Sequence, residues 1–343
     1  MRKLKVIQIG IGHDHAPLVI ENIRKQKSIF DVCGYVIPEC EKELYAGRLS
    51  LFDGLTEYNI EEALSIEGLD AVVVETEEKN LLKYAIMAAK RGFHIHMDKP
   101  GSPDAKDFET LISIVRKNKT VFHLGYMYRY NPAVCTLMEK IHSGELGEIY
   151  SVEAHMSCNH TKTKREWLSQ FKGGMMFFLG CHLIDLVLQI QGIPEKIIPF
   201  NKKTGTEGVK AEDFSMVLFE YKNGVSFAKT CASEIGGYHR RQLVVCGSKG
   251  TYEIKPFEKQ FPKEADGTIP YTTGISEVYK KDTDGKRWAV DCREFSWTDT
   301  YDRYDLMMES FAKMALGEID NPYTYDYELM LYKTLMKACG INN

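Results

Sequence analysis

His94-Ile95-His96-Met97-Asp98-Lys99-Pro100 is the stretch that decides the fold. It reads as a short buried strand ending on a carboxylate, an ammonium and a proline. A proline ring crowds the α region of the residue before it, so Lys99 is expected to be extended. Its amine then projects from the strand's C-terminal end. In an open parallel sheet, ligands bind outside that end. Lys99 is therefore the first candidate for chemistry, with Asp98 beside it.

The chain before this strand alternates strand and helix. Lys5 to Ile9 is an apolar strand that runs into Gly10-Ile11-Gly12-His13-Asp14-His15-Ala16. A helix follows, with Ala16, Val19, Ile20 and Ile23 at helical spacing. Strand, glycine turn and helix form the context of a dinucleotide site. Glycines let the backbone approach a pyrophosphate, and the helix N-terminus favours its charge. Gly10, Ile11, Gly12, His13, Asp14 and His15 are the turn's candidate cofactor residues, and Ile37, Glu75, Thr76, Asp98, Lys99 and Arg129 are the candidates elsewhere. His15 stands where a third glycine would be, so an ordinary tight strand–helix turn stays open as the alternative. The second strand, Val32 to Ile37, puts Ile37 where an acid would bind the adenosine ribose. Glu39 either serves from one turn later or opens the next helix, which leaves NAD and NADP both open.

Ala71 to Val74 is a continuous apolar run, expected as a buried parallel strand ending at Glu75-Thr76. The next helix carries Leu82, Ala85, Ile86 and Ala89, with Gly92 as its C-cap. After Lys99, Ser102 is the expected N-cap and Pro103 the first residue of a helix burying Phe108, Leu111, Ile112 and Val115. Val121 to Gly125 is the following strand. This alternation predicts an α/β fold with a doubly wound parallel sheet of the Rossmann type over residues 1–122. Residues 123–343 are expected to form a second α/β domain with an open, mostly antiparallel sheet. In it, Pro132 starts a helix to His142, and Cys181 to Gln191 forms another. Phe214 to Lys222 and Val225 to Ala232 flank Asn223-Gly224 as a hairpin. Residues 255–299 read as loops and short strands. Tyr301 to Leu316 and Tyr325 to Ala338 read as helices.

Taken together, these motifs resemble the Gfo/Idh/MocA oxidoreductases (glucose–fructose oxidoreductase, inositol dehydrogenase and rhizopine catabolism proteins). The resemblance covers most of the chain. It rests on Gly10 and Gly12, on Asp98-Lys99-Pro100 in place of Glu-Lys-Pro, and on Gly125 through Arg129 to Pro132. Gly144-Glu145-Leu146-Gly147-Glu148-Ile149, Gly180-Cys181-His182-Leu183-Ile184-Asp185 and Gly247-Ser248-Lys249-Gly250 complete it. Their order and spacing together carry the match. The resemblance implies NAD or NADP and reversible oxidation of a secondary hydroxyl on a sugar, polyol or sugar derivative. It implies Lys99 at the reacting oxygen, His182 as its acid/base partner, and Asp185 orienting a helix end or a substrate hydroxyl. It also implies a homodimer or homotetramer through the open sheet.

Three positions depart from the family pattern. Ile37 replaces the ribose-binding acid, and Glu77-Glu78 replace Pro-Asn after Thr76. Phe178 stands where the pattern has an aspartate, four residues before His182. The pocket floor becomes more apolar, which points to a substituted sugar whose aglycone stacks on an aromatic. Tyr126 and Tyr128 either line a sugar site or pack a hinge. Arg129 either fixes the cleft or holds a cofactor phosphate. Trp167 and Tyr238 are further substrate candidates. Two alternatives accompany the dehydrogenase reading: a redox-neutral, NAD-dependent glycosidase working through a keto-sugar, and a non-catalytic nucleotide-sensing regulator.

Composition narrows the field further. The net charge of −4, from 44 basic and 48 acidic residues, is too mild for a nucleic-acid or membrane-surface partner. No apolar run approaches the length of a membrane span and no signal peptide is read, so a cytoplasmic protein is expected. The nine cysteines are widely spaced, without Cys-x-x-Cys, and read as free thiols. His13/His15 and His94/His96 are close pairs. Neither has a cysteine or third histidine nearby in sequence, so no metal is expected.

Overall fold

The computed structural model describes residues 2–265, 267–283 and 292–341. Residues 284–291, part of the stretch read as loops and short strands, lie outside the described residues. The chain divides into two compact units. One comprises Met1–Met127 and Tyr304–Met330, the other Tyr128–Arg303 and Leu331–Asn343. The segment 304–330, expected with the second domain, thus packs with the first unit.

The first unit is built on five parallel strands: β1 (Leu4–Ile9), β2 (Phe30–Val36), β3 (Ala71–Val74), β4 (His94–Met97) and β5 (Phe122–Leu124). Their order is β2-β1-β3-β4-β5. All four residues of β3 are buried, as a central parallel strand covered on both faces requires. Five helices connect them: α1 (Ala16–Lys25), α2 (Glu39–Lys42), α3 (Ile60–Ala63), α4 (Leu81–Lys90) and α5 (Ala105–Asn118). On α1 the predicted face, Ala16, Val19, Ile20 and Ile23, is the buried one. Glu39 opens α2. The start of α5 differs from expectation. Asp104 caps it, accepting from the N–H groups of Lys106 and Asp107. Ser102 instead accepts from Asp104 N–H through its hydroxyl. A carboxylate outcompetes the hydroxyl for the helix-end donors because its bonds are charge-assisted.

The helix Asp305–Ala315 also belongs to the first unit. It begins later than the sequence pattern suggests, because Tyr301–Asp302 pairs as a strand with Pro270–Tyr271. Phe311 from this helix stacks on His123, with ring centroids 5.4 Å apart, and reaches His96 at 5.7 Å.

The second unit holds β6 (Ile149–His155), β7 (Lys196–Lys202), β8 (Phe214–Tyr221), β9 (Gly224–Cys231), β10 (Gln242–Gly247), β11 (Gly250–Ile254), β12 (Lys259–Gln260), β13 (Pro270–Thr272), β14 (Gly274–Tyr279), β15 (Glu294–Trp297) and β16 (Tyr301–Asp302). Eight of them form an open sheet ordered β15-β14-β11-β10-β6-β9-β8-β7, in which only β6 and β9 run parallel. Strands β12, β13 and β16 make a small separate sheet. The helices include α6 (Pro132–His142), α7 (Lys162–Trp167) and α8 (Cys181–Gln191). The β8–β9 hairpin turns on Lys222-Asn223, since Tyr221 pairs with Gly224. Gly224 is needed for close approach, because a Cβ there would strike the carbonyl of Tyr150. No helix among the described residues is long and apolar enough to cross a membrane.

Candidate active site

Strand order reverses at β1, so the C-terminal ends of β1 and β3 flank a switch point, the usual ligand position in an open α/β sheet. Gly10 to His15 leave β1 there, Glu75 to Glu78 leave β3, and Asp98-Lys99 leave β4. The segments are in close contact. Gly10 has φ +95°, and an added Cβ would lie 2.5 Å from Thr76 N. The His13 N–H donates to the Glu75 carbonyl at 3.0 Å.

These segments bring titratable groups together out of water. His13, Glu75, Asp98 and His96 are fully buried and Lys99 is 1% exposed. Nδ1 of His13 lies 3.1 Å from Asp98 Oδ2, and Nδ1 of His15 lies 3.0 Å from the same oxygen. Nε2 of His13 lies 3.2 Å from the Lys99 carbonyl. Nε2 of His96 lies 3.6 Å from Glu75, and its Nδ1 lies 2.7 Å from Nδ1 of His123. Desolvation pushes His15 and His96 down to about 4. Desolvation and the charge of Asp98 push Glu75 well above the carboxylate range. Burial alone would raise Asp98 too, but the charges and hydrogen bonds of the two imidazoles hold it well below. The Lys99 ammonium acts electrostatically on both Glu75 and His15, which places it among them.

The glycine turn has a second feature that the sequence pattern does not reveal. Glu41, on α2, is fully buried. Its Oε2 accepts from Ile11 N–H at 2.9 Å and Gly12 N–H at 2.8 Å, and its Oε1 accepts from Glu77 N–H at 2.9 Å. Desolvation raises its pKa, against the pull of these three donors. An added Cβ on Gly12 would meet Glu77 at 2.7 Å and Glu41 at 2.8 Å. The donors that a cofactor diphosphate would use are therefore engaged by a carboxylate. Glu77 and Glu78, both nearly buried, add negative charge around it. Arg48 is spent on the carbonyls of Ile11 and His13, and Lys79 on Glu77. As folded, the N–H groups of Ile11 and Gly12 face Glu41. Ile37 lines a neighbouring cleft of about 490 Å³ with Tyr58 and Tyr84, whose apolar faces suit a flat ring. Asp14 is exposed, 4.0 Å from Arg48. Thr76 is buried against Gly10.

The second unit carries its own polar cluster. The ring of His182, at the start of α8, meets Tyr128 edge-on at 4.9 Å. One turn later, Asp185 receives a two-pronged ion pair from Arg129, Nε to Oδ2 at 2.9 Å and Nη2 to Oδ1 at 2.8 Å. The Tyr128 hydroxyl donates to Glu258 at 3.0 Å, and Arg303 donates to both oxygens of the same carboxylate. Arg241 donates to the Tyr128 hydroxyl and stacks over Tyr238 at 4.6 Å. Phe178 meets Trp167 edge-on at 5.4 Å, and the Lys164 ammonium lies over both rings. Tyr126, by contrast, is buried in the first unit.

The sequence reading paired Lys99 with His182; the structure gathers Lys99, Asp98, His13 and His15 in the first unit, and His182, Asp185, Tyr128 and Arg129 in the second. The sequence reading missed Glu41, Glu258, Arg241 and Arg303. Glu41 had one usable signal: an acid just past the second strand, within reach of the glycine turn.

A parallel 2-1-3-4-5 sheet followed by an open mixed sheet, with a lysine at the end of the fourth parallel strand, makes a two-unit α/β architecture. The family model for the GFO/IDH/MocA C-terminal domain matches residues 134–253. The chain matches that model over this segment of its second unit. It is 24% identical over 195 residues to the uncharacterized oxidoreductase YhhX of Escherichia coli, a match covering 57% of this chain and 55% of that one. The chain thus spans little more than half the length of that relative. Its fold is that of an aldose-aldose oxidoreductase from Caulobacter crescentus, at 15% identity and TM-score 0.77 over 99% of this chain and 98% of that one. It is also that of a 3-ketoreductase from Actinomadura kijaniata solved with TDP-benzene and NADP, at 15% identity and TM-score 0.75 over 98% and 96%.

Proposed function

We propose that this chain is an oxidoreductase acting on a secondary hydroxyl, or the matching ketone, of a sugar, a polyol or a sugar derivative. The observation that carries this reading is Lys99: a buried ammonium beside Asp98, at the end of β4, on the ligand side of a parallel sheet. An ammonium held out of water donates a strong hydrogen bond to a substrate oxygen and takes up or returns its proton. His182 is its acid/base partner in the proposal. The names of the aldose oxidoreductase and the 3-ketoreductase support the substrate class.

NAD or NADP would supply the hydride chemistry when bound, and its diphosphate can enter only when Glu41 leaves the glycine turn. Truncating Glu41→Ala should therefore raise NADH or NADPH affinity at least tenfold, about 1.4 kcal/mol, read by nicotinamide fluorescence. Tight binding to the wild type, unaltered in the variant, would show that Glu41 is no barrier. The reaction itself is tested by a cofactor-reduction screen of wild type and Glu41→Ala against sugars and glycosides, with both NAD and NADP. No turnover by either protein on any member would count decisively against the oxidoreductase reading.

A second reading is a redox-neutral glycosidase, favoured by the Trp167–Phe178 wall, which suits a flat aglycone. Glycoside cleavage with solvent deuterium entering the sugar ring would select it.

We also propose self-association through the open sheet. Its outward face carries Met216, Leu218, Phe227 and Val244, all part-exposed, and Leu218 pairs directly with Phe227. Phe227→Lys would put a charge in the middle of that face. It should convert the oligomer to a monomer in sedimentation velocity; an unchanged oligomer would place the interface elsewhere.

A further inference from the structure

We propose that His13, His15 and Asp98 hold a divalent metal ion of the zinc, cobalt or manganese class. One ligand atom from each lies within 4.8 Å of the others in the first unit, with His13 and Asp98 buried and His15 part-exposed.

The contacts around His13 carry the argument. Its Nε2 faces the Lys99 carbonyl at 3.2 Å. A carbonyl only accepts, so Nε2 holds the proton. Its Nδ1 accepts the His15 N–H at 3.2 Å, so Nδ1 presents a lone pair. That lone pair also faces Asp98 Oδ2 at 3.1 Å. Two such atoms at that distance, both buried, are placed to share one cation. Nδ1 of His15 reaches the same oxygen at 3.0 Å. Three ligand atoms about one metal, with bonds of about 2.0–2.1 Å, stand roughly 3 Å apart, the spacing of each imidazole nitrogen from Asp98 Oδ2.

Two further observations point the same way. Both carboxylate oxygens of Glu75 are buried without a hydrogen-bond partner among the described residues, and one lies 3.9 Å from His13 Nδ1. It is placed to act as a fourth ligand or to orient one. A metal-binding imidazole typically donates its other N–H to a carbonyl or carboxylate, as His13 does to Lys99. Two imidazoles and a carboxylate suit zinc and its neighbours and leave a position for water or a substrate oxygen. His15, part-exposed, is the side from which an ion enters. A sugar hydroxyl or ketone bound there would be polarised beside Lys99. The inference rests on the first unit alone and does not depend on the dinucleotide reading.

The test is titration of tag-free, chelator-stripped protein with CoCl₂, followed by visible d–d absorption, and with ZnCl₂ by calorimetry. One ion per chain is expected, with a raised melting temperature that EDTA reverses. His13→Gln and His15→Gln, checked for folding by circular dichroism, should each weaken binding at least tenfold. If either variant fails to fold, the wild-type spectrum and its EDTA reversal still decide. Absence of a saturable cobalt spectrum in folded wild type would overturn the site and leave His13 as an imidazolium paired with Asp98. Binding unchanged in both folded variants would overturn it equally.

Discussion

Lys99→Met lowers turnover by about 10²–10⁴-fold, the usual contribution of a positioned proton-transfer group, with a much smaller change in KM. Methionine keeps the length and most of the volume of the side chain, so the loss reports the ammonium rather than a cavity. Glu75 and His15 are close enough to feel the Lys99 charge, so its removal also alters the charge balance around a buried acid. Folding must therefore be checked by circular dichroism before rates are compared. Lys99→Ala adds a readout that a packing role would not move, because small primary amines in the buffer should restore part of its turnover. Rates within threefold of wild type in a folded Lys99→Met protein would remove Lys99 from the chemistry. Arginine is not a conservative control: its guanidinium is larger, planar and always charged, and it does not exchange protons at neutral pH.

The parts of this fold legible in sequence are those set by local periodicity. Ala71 to Val74 is apolar throughout because both faces of a central parallel strand are covered. Pro132 and Asn131 mark a helix start through their own backbone restriction and side-chain acceptor, and Asn131 caps α6 as such a residue should. The hairpin at residues 221–224 was legible as a turn but its register was not. Asn-Gly chemistry predicts the turn on those two residues, whereas the nearby Tyr150 carbonyl demands glycine one position into the strand.

The site is harder to read because its contacts span long stretches of chain. His15 and Asp98 are 83 residues apart, and Arg303 and Glu258 are 45 apart. Sequence spacing could test His13 and His15 only against nearby cysteines and histidines. The carboxylate that both imidazoles meet, Asp98, comes from the next-but-one strand in the sheet. Glu41 shows the same limit more sharply. Gly-x-Gly was correctly read as a turn that offers N–H groups to an anion. Nothing local says that the chain itself brings one, from a helix of four residues. The departures at Ile37, Glu77 and Glu78 were visible one by one. That Glu77 and Glu41 together crowd Gly12 emerges only once β3 and α2 are packed together.

Arg129 and Asp185 were read separately, one for a cleft or a phosphate and the other for a hydroxyl, yet each is the other's partner. Both side chains are essentially buried, at 0% and 2% exposure. Asp185 Oδ2 also accepts from Gln189 Nε2 at 2.8 Å. Breaking such a pair strands a charge in a low-dielectric interior, which costs about 3–5 kcal/mol. Asp185→Asn keeps the shape and removes the charge. Its unfolding transition should move by that amount in urea, and its melting temperature should fall by roughly 6–20 °C for a unit of this size. Removing both charges behaves differently. Arg129→Met with Asp185→Leu replaces the pair by apolar side chains that need no solvation, and should recover most of the loss. The recovery separates a coupled pair from two independent structural residues, for which the losses would add. A double variant no more stable than the worse single one would show that Arg129 and Asp185 do not act as a unit.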